Sequence, residues 1–360
     1  MRGTSHLSAE VIVVGAGLIG LTAAVALAER GVSVTLIGEH RPGEASPAAA
    51  GMLAPSVERA SGPAHDFGVA ARDRYPSYVD FLSDRIGVAV PLNRLGILQV
   101  ALSEKGIRGL RKTALETGIW LDSKELHEVE PALSHALGAM LNPDDGAVDN
   151  VVLLDALQHL VSTSDRIDMV PDGVTTIDAG ADSCTVVTRS GASHRAHRLV
   201  LAAGAWVGQV SGSRAAGAVT PARGQLVSYS SSPLRHVAYG PRGYVVPRGD
   251  HTIGGTTMEN VGFDAETTTE GIKKVRAASE EICPRLAGAE ETRAWAGLRP
   301  VTPDMLPILG IDSGRPSLVY ACGHSRNGVL MAPLTGDIIA DLVTGTPLSH
   351  DLSQFRPDRF

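Results

Sequence analysis

Three glycines near the start of the chain stand at the spacing of a diphosphate-binding loop. Gly15, Gly17 and Gly20 follow the β-branched run Val11 to Val14 as G-x-G-x-x-G. Gly15 turns the chain tightly out of a strand, Gly17 lets a pyrophosphate approach bare backbone, and Gly20 lets the next helix pack close on the sheet. The N-terminus of that helix offers free N–H groups and a positive dipole end to the phosphates. Other chemistry is poorly supported. Cys184, Cys283 and Cys322 lie far apart with no C-x-x-C, which argues against a disulfide framework or a thiolate zinc site and for a reducing compartment. The turn GHSRNG, Gly323 to Gly328, breaks the nucleophile-elbow pattern G-x-S-x-G at its last position, so a serine hydrolase is dismissed. No other His or carboxylate lies at ligand spacing from His324, so no metal is expected.

The elements that must position the glycine loop can be read on either side of it. An Ala/Leu/Val-rich helix runs to about Arg30, Gly31 ends it, and Val32 to Ile37 reads as a second strand. A membrane span over the uncharged stretch Val11 to Ala28 is the rival. Three glycines, Thr22 and the strand after Gly31 favour a βαβ unit. Dinucleotide sites place an acid at the end of the second strand, where it accepts hydrogen bonds from the adenosine ribose. Here Gly38 holds that position and Glu39 follows, so either the loop shifts Glu39 into the role or Gly38 contributes only backbone. Arg41 to Pro55 is a small-residue loop with two readings. It is a plain surface connection, or Ala48, Ala49, Ala50 and Gly51 are small because a planar ligand lies against their backbone, with Met52 as a soft apolar contact.

At 360 residues the chain suits two domains, or one with a large insertion. Hydrophobic residues at 43% with 20% charged are ordinary for a soluble globular protein, and a net charge of −7 without a basic block excludes a nucleic-acid binder. A small-molecule partner and no membrane are expected. Met1 to Ala9 lacks a signal-peptide pattern and is read as a flexible leader, so the cytoplasm is the expected location. Helical spacing covers Asp66 to Ile86; Leu95 to Leu102 is strand-like; Glu104 to Thr117 and Ser123 to Val129 are helix-like. The βαβ rhythm lapses over 80–140, which predicts a second domain inserted there. A helix returns at Asn150 to Val161, and short strands at Val174 to Ile177, Thr185 to Val187 and Leu199 to Ala202, the last running into Gly204 and Trp206. Gln225 to Ser230, Tyr244 to Pro247 and Thr252 to Thr257 alternate as in an antiparallel sheet. Gly271 to Ile282 is an amphipathic helix, Thr292 to Pro300 leads back to the first domain, Leu318 to Cys322 is a strand and Val329 to Val343 a helix.

With these pieces in place the chain resembles the D-amino-acid-oxidase-like family of flavoenzymes, in particular its bacterial glycine oxidases linked to thiamine biosynthesis. The stretches that carry the resemblance are VIVVGAGLIGLTAA near the start, AAAGMLAP at Ala48 to Pro55, YVVP at Tyr244 to Pro247, GGTTMENVGFD at Gly254 to Asp264, WAGLRPVTPDMLPILG at Trp295 to Gly310 and GHSRNGVLMAP at Gly323 to Pro333. The resemblance implies an α/β fold: a Rossmann-like FAD-binding domain (8–80, 141–220 and 297–360) and an α+β substrate domain with an antiparallel sheet (81–140 and 221–296). FAD would bind without a covalent link. Leu18 and Ile19 would sit by the pyrophosphate, Gly38 and Glu39 near the ribose, and Val174 near the adenine. Ala45, Ser46, Ala50, Gly51 and Met52 would lie along the isoalloxazine, with Gly204 and Trp206 nearby, and His324, Ser325, Arg326, Asn327, Gly328, Val329 and Leu330 against the ring. Ser325 stands where the family often has an aromatic, which implies a more open pocket.

The activity implied is oxidation of glycine, or a related small amine or D-amino acid, to the imine by hydride transfer to the flavin. Dioxygen would then yield hydrogen peroxide, and the imine would hydrolyse to glyoxylate and ammonia. Arg299 would clamp the substrate carboxylate as a bidentate guanidinium, Tyr244 would add a phenolic hydrogen bond, Met258 would cap the pocket and Arg326 would be a second cation. The N-terminus of the helix starting near Gly328 would stabilise negative charge on the flavin. The structural alternatives are an interdomain Arg299, a core-facing Tyr244, a core Met258 and a solvated Arg326. A homo-oligomer, dimer or tetramer, is expected. The rival functions are oxidation of a glycyl or amine substituent on a larger specialised metabolite, a nicotinamide-dependent dehydrogenase, and a non-catalytic flavin-binding protein.

Overall fold

The computed structural model describes residues 9–58 and 62–360. All of the leader except Ala9 therefore lies outside the described residues. Val11–Val14 forms the middle of a six-stranded sheet, parallel to Val34–Ile37 on one side and to Arg198–Leu201 on the other. Ile167–Val170 extends the sheet beyond Val34–Ile37, while Arg315–Cys322 and an antiparallel edge strand, Ile308–Asp312, extend it beyond Arg198–Leu201. All four residues of Val11–Val14 are buried, as a strand covered on both faces must be. The period-2 alternation sorts them. Val11 and Val13 face a core shared with helices Leu18–Glu29, Asn150–Thr163 and Gly328–Thr344. Ile12 and Val14 face a second core roofed by a small antiparallel sheet of Val174–Ala179, Cys184–Thr188 and Ser193–Ala196. Helices Leu18–Glu29 and Gly328–Thr344 touch backbone to backbone, since a Cβ on Gly336 would lie 2.7 Å from the Thr22 carbonyl oxygen.

An eight-stranded sheet stands beside this unit. Its order is Glu291–Val301, Thr220–Tyr229, His251–Gly255, Tyr244–Arg248, Val237–Tyr239, Ile97–Ala101, Gly138–Asn142 and Ile119–Asp122. All neighbours are antiparallel except Val237–Tyr239 with Ile97–Ala101, and helix Thr269–Ile282 packs on the sheet through Val275 and Ile282. Two expectations need correction. Thr292 to Pro300 is no connecting segment: Glu291–Val301 is an edge strand paired along its length with Thr220–Tyr229. The helix expected over Asp66 to Ile86 is two, Pro63–Asp73 and Tyr75–Ile86, because Pro76 has no N–H to continue the ladder and fits only the first turn of a new helix. Among the described residues no helix is long and apolar enough to cross a membrane.

Candidate active site

The glycine loop is built by contact distances that leave no room for side chains. Gly15 has φ +110°, and a Cβ there would lie 2.3 Å from the carbonyl oxygen of Ala202. A Cβ on Gly20 would lie 1.7 Å from the Gly15 carbonyl oxygen, so the helix enters directly over the turn. Gly17 differs. Its backbone is ordinary, with φ −81°, and an added Cβ would meet only the Ser46 hydroxyl at 3.0 Å. The bareness of Gly17 serves the space in front of it. The helix has no side-chain N-cap on Gly17, and the Leu18 N–H donates to Ser46 Oγ at 3.0 Å.

That space is a cavity of about 710 Å³. At one end it is lined by Gly38, Glu39 and Val174, in its middle by Gly15 to Ile19, Ala45, Ser46, Gly204 and Trp206, and at the other end by His324 to Arg326, Gly328, Val329, Tyr244 and Arg299. Glu39 receives hydrogen bonds from Arg41 and Arg189; burial opposes its ionisation, but these bonds hold it below the usual carboxylate range. Both of the alternatives at this position thus reach the cavity: Gly38 as bare backbone, where an added Cβ would lie only 2.6 Å from the Ala16 methyl, and Glu39 as a carboxylate held by two arginines. The Trp206 ring stacks with Phe263 and lies under the Arg41 guanidinium. Helix Gly328–Thr344 points its N-terminus at the cavity.

Six expected contact residues stand elsewhere. Ala50 is buried under Arg248, whose Nη2 donates to its carbonyl oxygen at 2.9 Å. Gly51 is required by packing, with φ +77° and 2.0 Å between an added Cβ and the Val148 carbonyl oxygen, and it is not among the residues lining the cavity. Met52 pairs with Ala147 in a three-stranded sheet. Asn327 closes the turn through its N–H to the His324 carbonyl oxygen, and Leu330 is 2% exposed in the core behind the helix. Met258 is 50% exposed on the loop after Gly255 and is not among the residues lining the cavity, so the structure does not place it as a cap.

At the far end two arginines sit in opposite electrostatic conditions. Arg299 Nη2 donates to Thr256 Oγ1 at 2.9 Å and Nη1 to the Thr257 carbonyl oxygen at 3.2 Å, and no carboxylate among the described residues lies within salt-bridge distance of it. Burial pulls its pKa down, with Tyr244 opposing, yet a guanidinium stays charged. The guanidinium lies over Gly224, where any side chain would collide with it: a Cβ there would be 2.1 Å from Nη1. Tyr244 is buried beside it and has its pKa raised by that burial, so its hydroxyl keeps its proton. Arg326, by contrast, is matched: Nη2 donates to Glu58 at 2.8 Å and to the Tyr239 hydroxyl at 3.0 Å. His324, 2% exposed and bonded to Thr335 Oγ1, is pushed by burial down to about 3 and is neutral. Ser325, at φ +50°, turns its hydroxyl back to the Gly323 carbonyl oxygen.

Thr256, Thr257 and Glu58 belong to this end of the site and are not among the expected site residues, although Thr256 and Thr257 lie within the GGTTMENVGFD stretch. Glu58 acts across 268 residues of sequence. The one hint is that it is a lone acid following the small-residue run.

The arrangement suits a ligand with a diphosphate for the bare loop and a flat group for the small-residue wall, with an anionic second molecule at Arg299. Comparison with known proteins agrees with that reading. The family described as FAD dependent oxidoreductase matches residues 10–342. The bifunctional protein ThiO/ThiG of Synechocystis sp. is 33% identical over 98% of this chain and 54% of its own length, so the chain spans about half of that relative. The glycine oxidase of Geobacillus kaustophilus is 32% identical over 96% of both chains. The crystal structure of glycine oxidase from that organism superposes with a TM-score of 0.90 and 30% identity, covering 99% of this chain and 100% of the other.

Proposed function

The chain belongs to the FAD dependent oxidoreductase family, and from that premise we propose that it oxidises glycine, or a related small primary or secondary amine or D-amino acid, to the imine. For glycine the imine, once in water, hydrolyses to glyoxylate and ammonia; the likeness to the bifunctional ThiO/ThiG protein supports a place in thiamine biosynthesis. The observation that carries this reading is Arg299: a buried guanidinium with no carboxylate partner, opening on a cavity, is an anion site waiting for its anion.

The residues fit FAD. Gly15, Gly17 and Gly20 leave the cradle a diphosphate needs, the N-terminus of Leu18–Glu29 supplies the donors, Gly38, Glu39 and Val174 take the adenosine, and Ala45, Ser46 and the His324 to Val329 turn take the ring system. This assigns the described residues of 8–80, 141–220 and 297–360 to the FAD-binding domain and 81–140 with 221–296 to the substrate domain, except that Leu141 and Asn142 and the run from Gly297 to Val301 pair in the eight-stranded sheet. Held there, FAD would supply the acceptor for the hydride leaving the substrate Cα, with dioxygen as the final oxidant and hydrogen peroxide as its product.

The chain's own residues bind and orient. Arg299 takes the substrate carboxylate bidentately and Tyr244, still protonated, donates to the same group. With the carboxylate fixed at two points, the Cα has one orientation. No acid among the described residues lines this end of the cavity, so desolvation there disfavours a protonated amine and the substrate nitrogen is held in the neutral form that can push the hydride out. No protein base is needed. A second reading, oxidation of an amine substituent on a larger molecule, draws on Met258 standing outside the cavity and Ser325 being small and turned away.

The test is peroxide release by purified, yellow protein from glycine, sarcosine, D-alanine and D-proline. Turnover of glycine or sarcosine is expected. A flavin-loaded protein that oxidises none of the four would overturn the reading.

A further inference from the structure

Two guanidiniums reach the same end of the cavity, and one acid decides which of them is free. Glu58 closes the short helix Pro55–Glu58, outside the cavity lining, and meets Arg326 Nη2 at 2.8 Å. Its side chain is 15% exposed against 38% for Arg326, so the acid stands behind the base and the base stands towards the cavity. Arg299 lies near enough for the charges of Arg326 and Glu58 to act on it, but among the described residues it hydrogen-bonds only to neutral partners. The pocket thus holds two cations and one built-in anion, which leaves net charge for a single carboxylate.

We infer that Glu58 is a specificity-determining residue that limits this pocket to amines bearing one carboxylate by occupying Arg326, the guanidinium that would otherwise bind a second. The inference rests on the proposed function, because it assigns the first carboxylate to Arg299. Its physics is substitution of one anion for another. A partly buried guanidinium stripped of its carboxylate is left uncompensated, and a ligand carboxylate of bidentate geometry is the natural replacement. With Glu58 in place the same ligand carboxylate meets an arginine already paired and an acid of like charge behind it, the repulsive element that selective sites use to turn a competitor away. Tyr239, which also binds Arg326 Nη2, holds the guanidinium in position whichever anion it meets.

The experiment compares wild type with Glu58→Gln, which keeps the side-chain shape, on two pairs of ligands. Sarcosine and iminodiacetate are substrates that differ by a carboxylate; methoxyacetate and diglycolate are their unreactive ether counterparts, whose affinities are read by calorimetry on the FAD-loaded protein. In Glu58→Gln the preference for diglycolate over methoxyacetate rises at least tenfold, and the kcat/KM ratio of iminodiacetate to sarcosine rises with it. Adding Arg326→Met to Glu58→Gln abolishes the gain. Equal change for both members of each pair, or a gain that survives loss of Arg326, would overturn the inference. Failure of the proposed function shows differently: wild type would then bind neither methoxyacetate nor sarcosine. If Glu58→Gln does not fold, Glu58→Asp, which draws the charge back by one methylene, gives the same comparison with a smaller rise expected.

Discussion

Arg299 is oriented by Thr256, guanidinium to hydroxyl at 2.9 Å, and by no acid among the described residues. A hydroxyl and a carbonyl fix direction without cancelling charge, so the full positive charge remains for a ligand. Arg299→Ala should lower kcat/KM for amino-acid substrates on the order of 10³-fold, the ~4 kcal/mol typical of truncating one partner of a buried hydrogen-bonded charge pair. Arg299→Lys should recover only part of this, since an ammonium cannot make the paired contact. Flavin absorbance must be retained in both, and activity equal to wild type would show that the carboxylate is anchored elsewhere.

The glycines of the loop separate a folding role from a binding role. In Gly20→Ala the new Cβ meets backbone at 1.7 Å, where neither partner can yield, and about 3 kcal/mol or more of stability is lost. In Gly17→Ala the new methyl meets only the Ser46 hydroxyl, so the fold survives while FAD is bound poorly. Thermal midpoints of the apoproteins and the ratio of flavin to protein absorbance distinguish the two. A Gly17→Ala protein as yellow as wild type would refute the assignment of that backbone to the diphosphate.

The difference between what the sequence showed and what it hid follows sequence distance. Gly15 to Gly20 announce themselves because strand, turn and helix are contiguous and each glycine answers a local constraint. Arg299 and Tyr244 were legible through motif resemblance on single strands. The small-residue run misled: Gly51 has the same composition signal as a ligand wall, yet its φ and its contact with Val148 belong to strand packing, which local sequence cannot distinguish. Met258 failed for a related reason. An apolar residue beside a site reads as a lid whether its side chain faces in or out, and here the next residue, Glu259, is fixed by backbone pairing with Arg223 while Met258 is half exposed. Glu58 was hidden because its partner is remote and nothing in its own neighbourhood demands an acid.

Asp145 should make the fold less stable as pH rises through the weakly acidic range. It is fully buried, accepts from the Ser56 hydroxyl at 2.9 Å and from Arg72 at 3.2 Å, and burial nevertheless pushes its carboxyl up to about 6. Between an unfolded value near 3.8 and about 6 the native state holds more protons than the unfolded state, so this residue's contribution to stability falls over that window and then stays flat. At 1.36 kcal/mol per unit, the total is about 3 kcal/mol. Asp145→Asn lacks that titration. The stability of the variant relative to wild type, by urea unfolding, should rise between pH 4 and 6 and level off above; a difference independent of pH would refute the assignment.

The pH dependence of turnover should belong to the substrate. At the amine end of the cavity His324 is neutral with a pKa of about 3, Tyr244 is raised by burial and stays protonated, and Arg299 and Arg326 are guanidiniums charged at any working pH. None of these groups changes charge between pH 5 and 9. Glu58, raised by burial with Arg326 and Arg299 opposing, is the remaining acid at this end, and Glu58→Gln removes its titration. A rising limb of kcat/KM against pH kept in that variant reports loss of the proton from the substrate nitrogen, whose neutral form the free enzyme selects. Replacing sarcosine by D-serine, a less basic amine, should move the limb to lower pH by the difference in the two amine pKa values. Tyr244→Phe should raise KM about tenfold, as for one hydrogen bond to a charged group, and leave the limb where it was. A limb that stayed fixed across substrates, or moved with Tyr244→Phe, would place the titrating group on the protein.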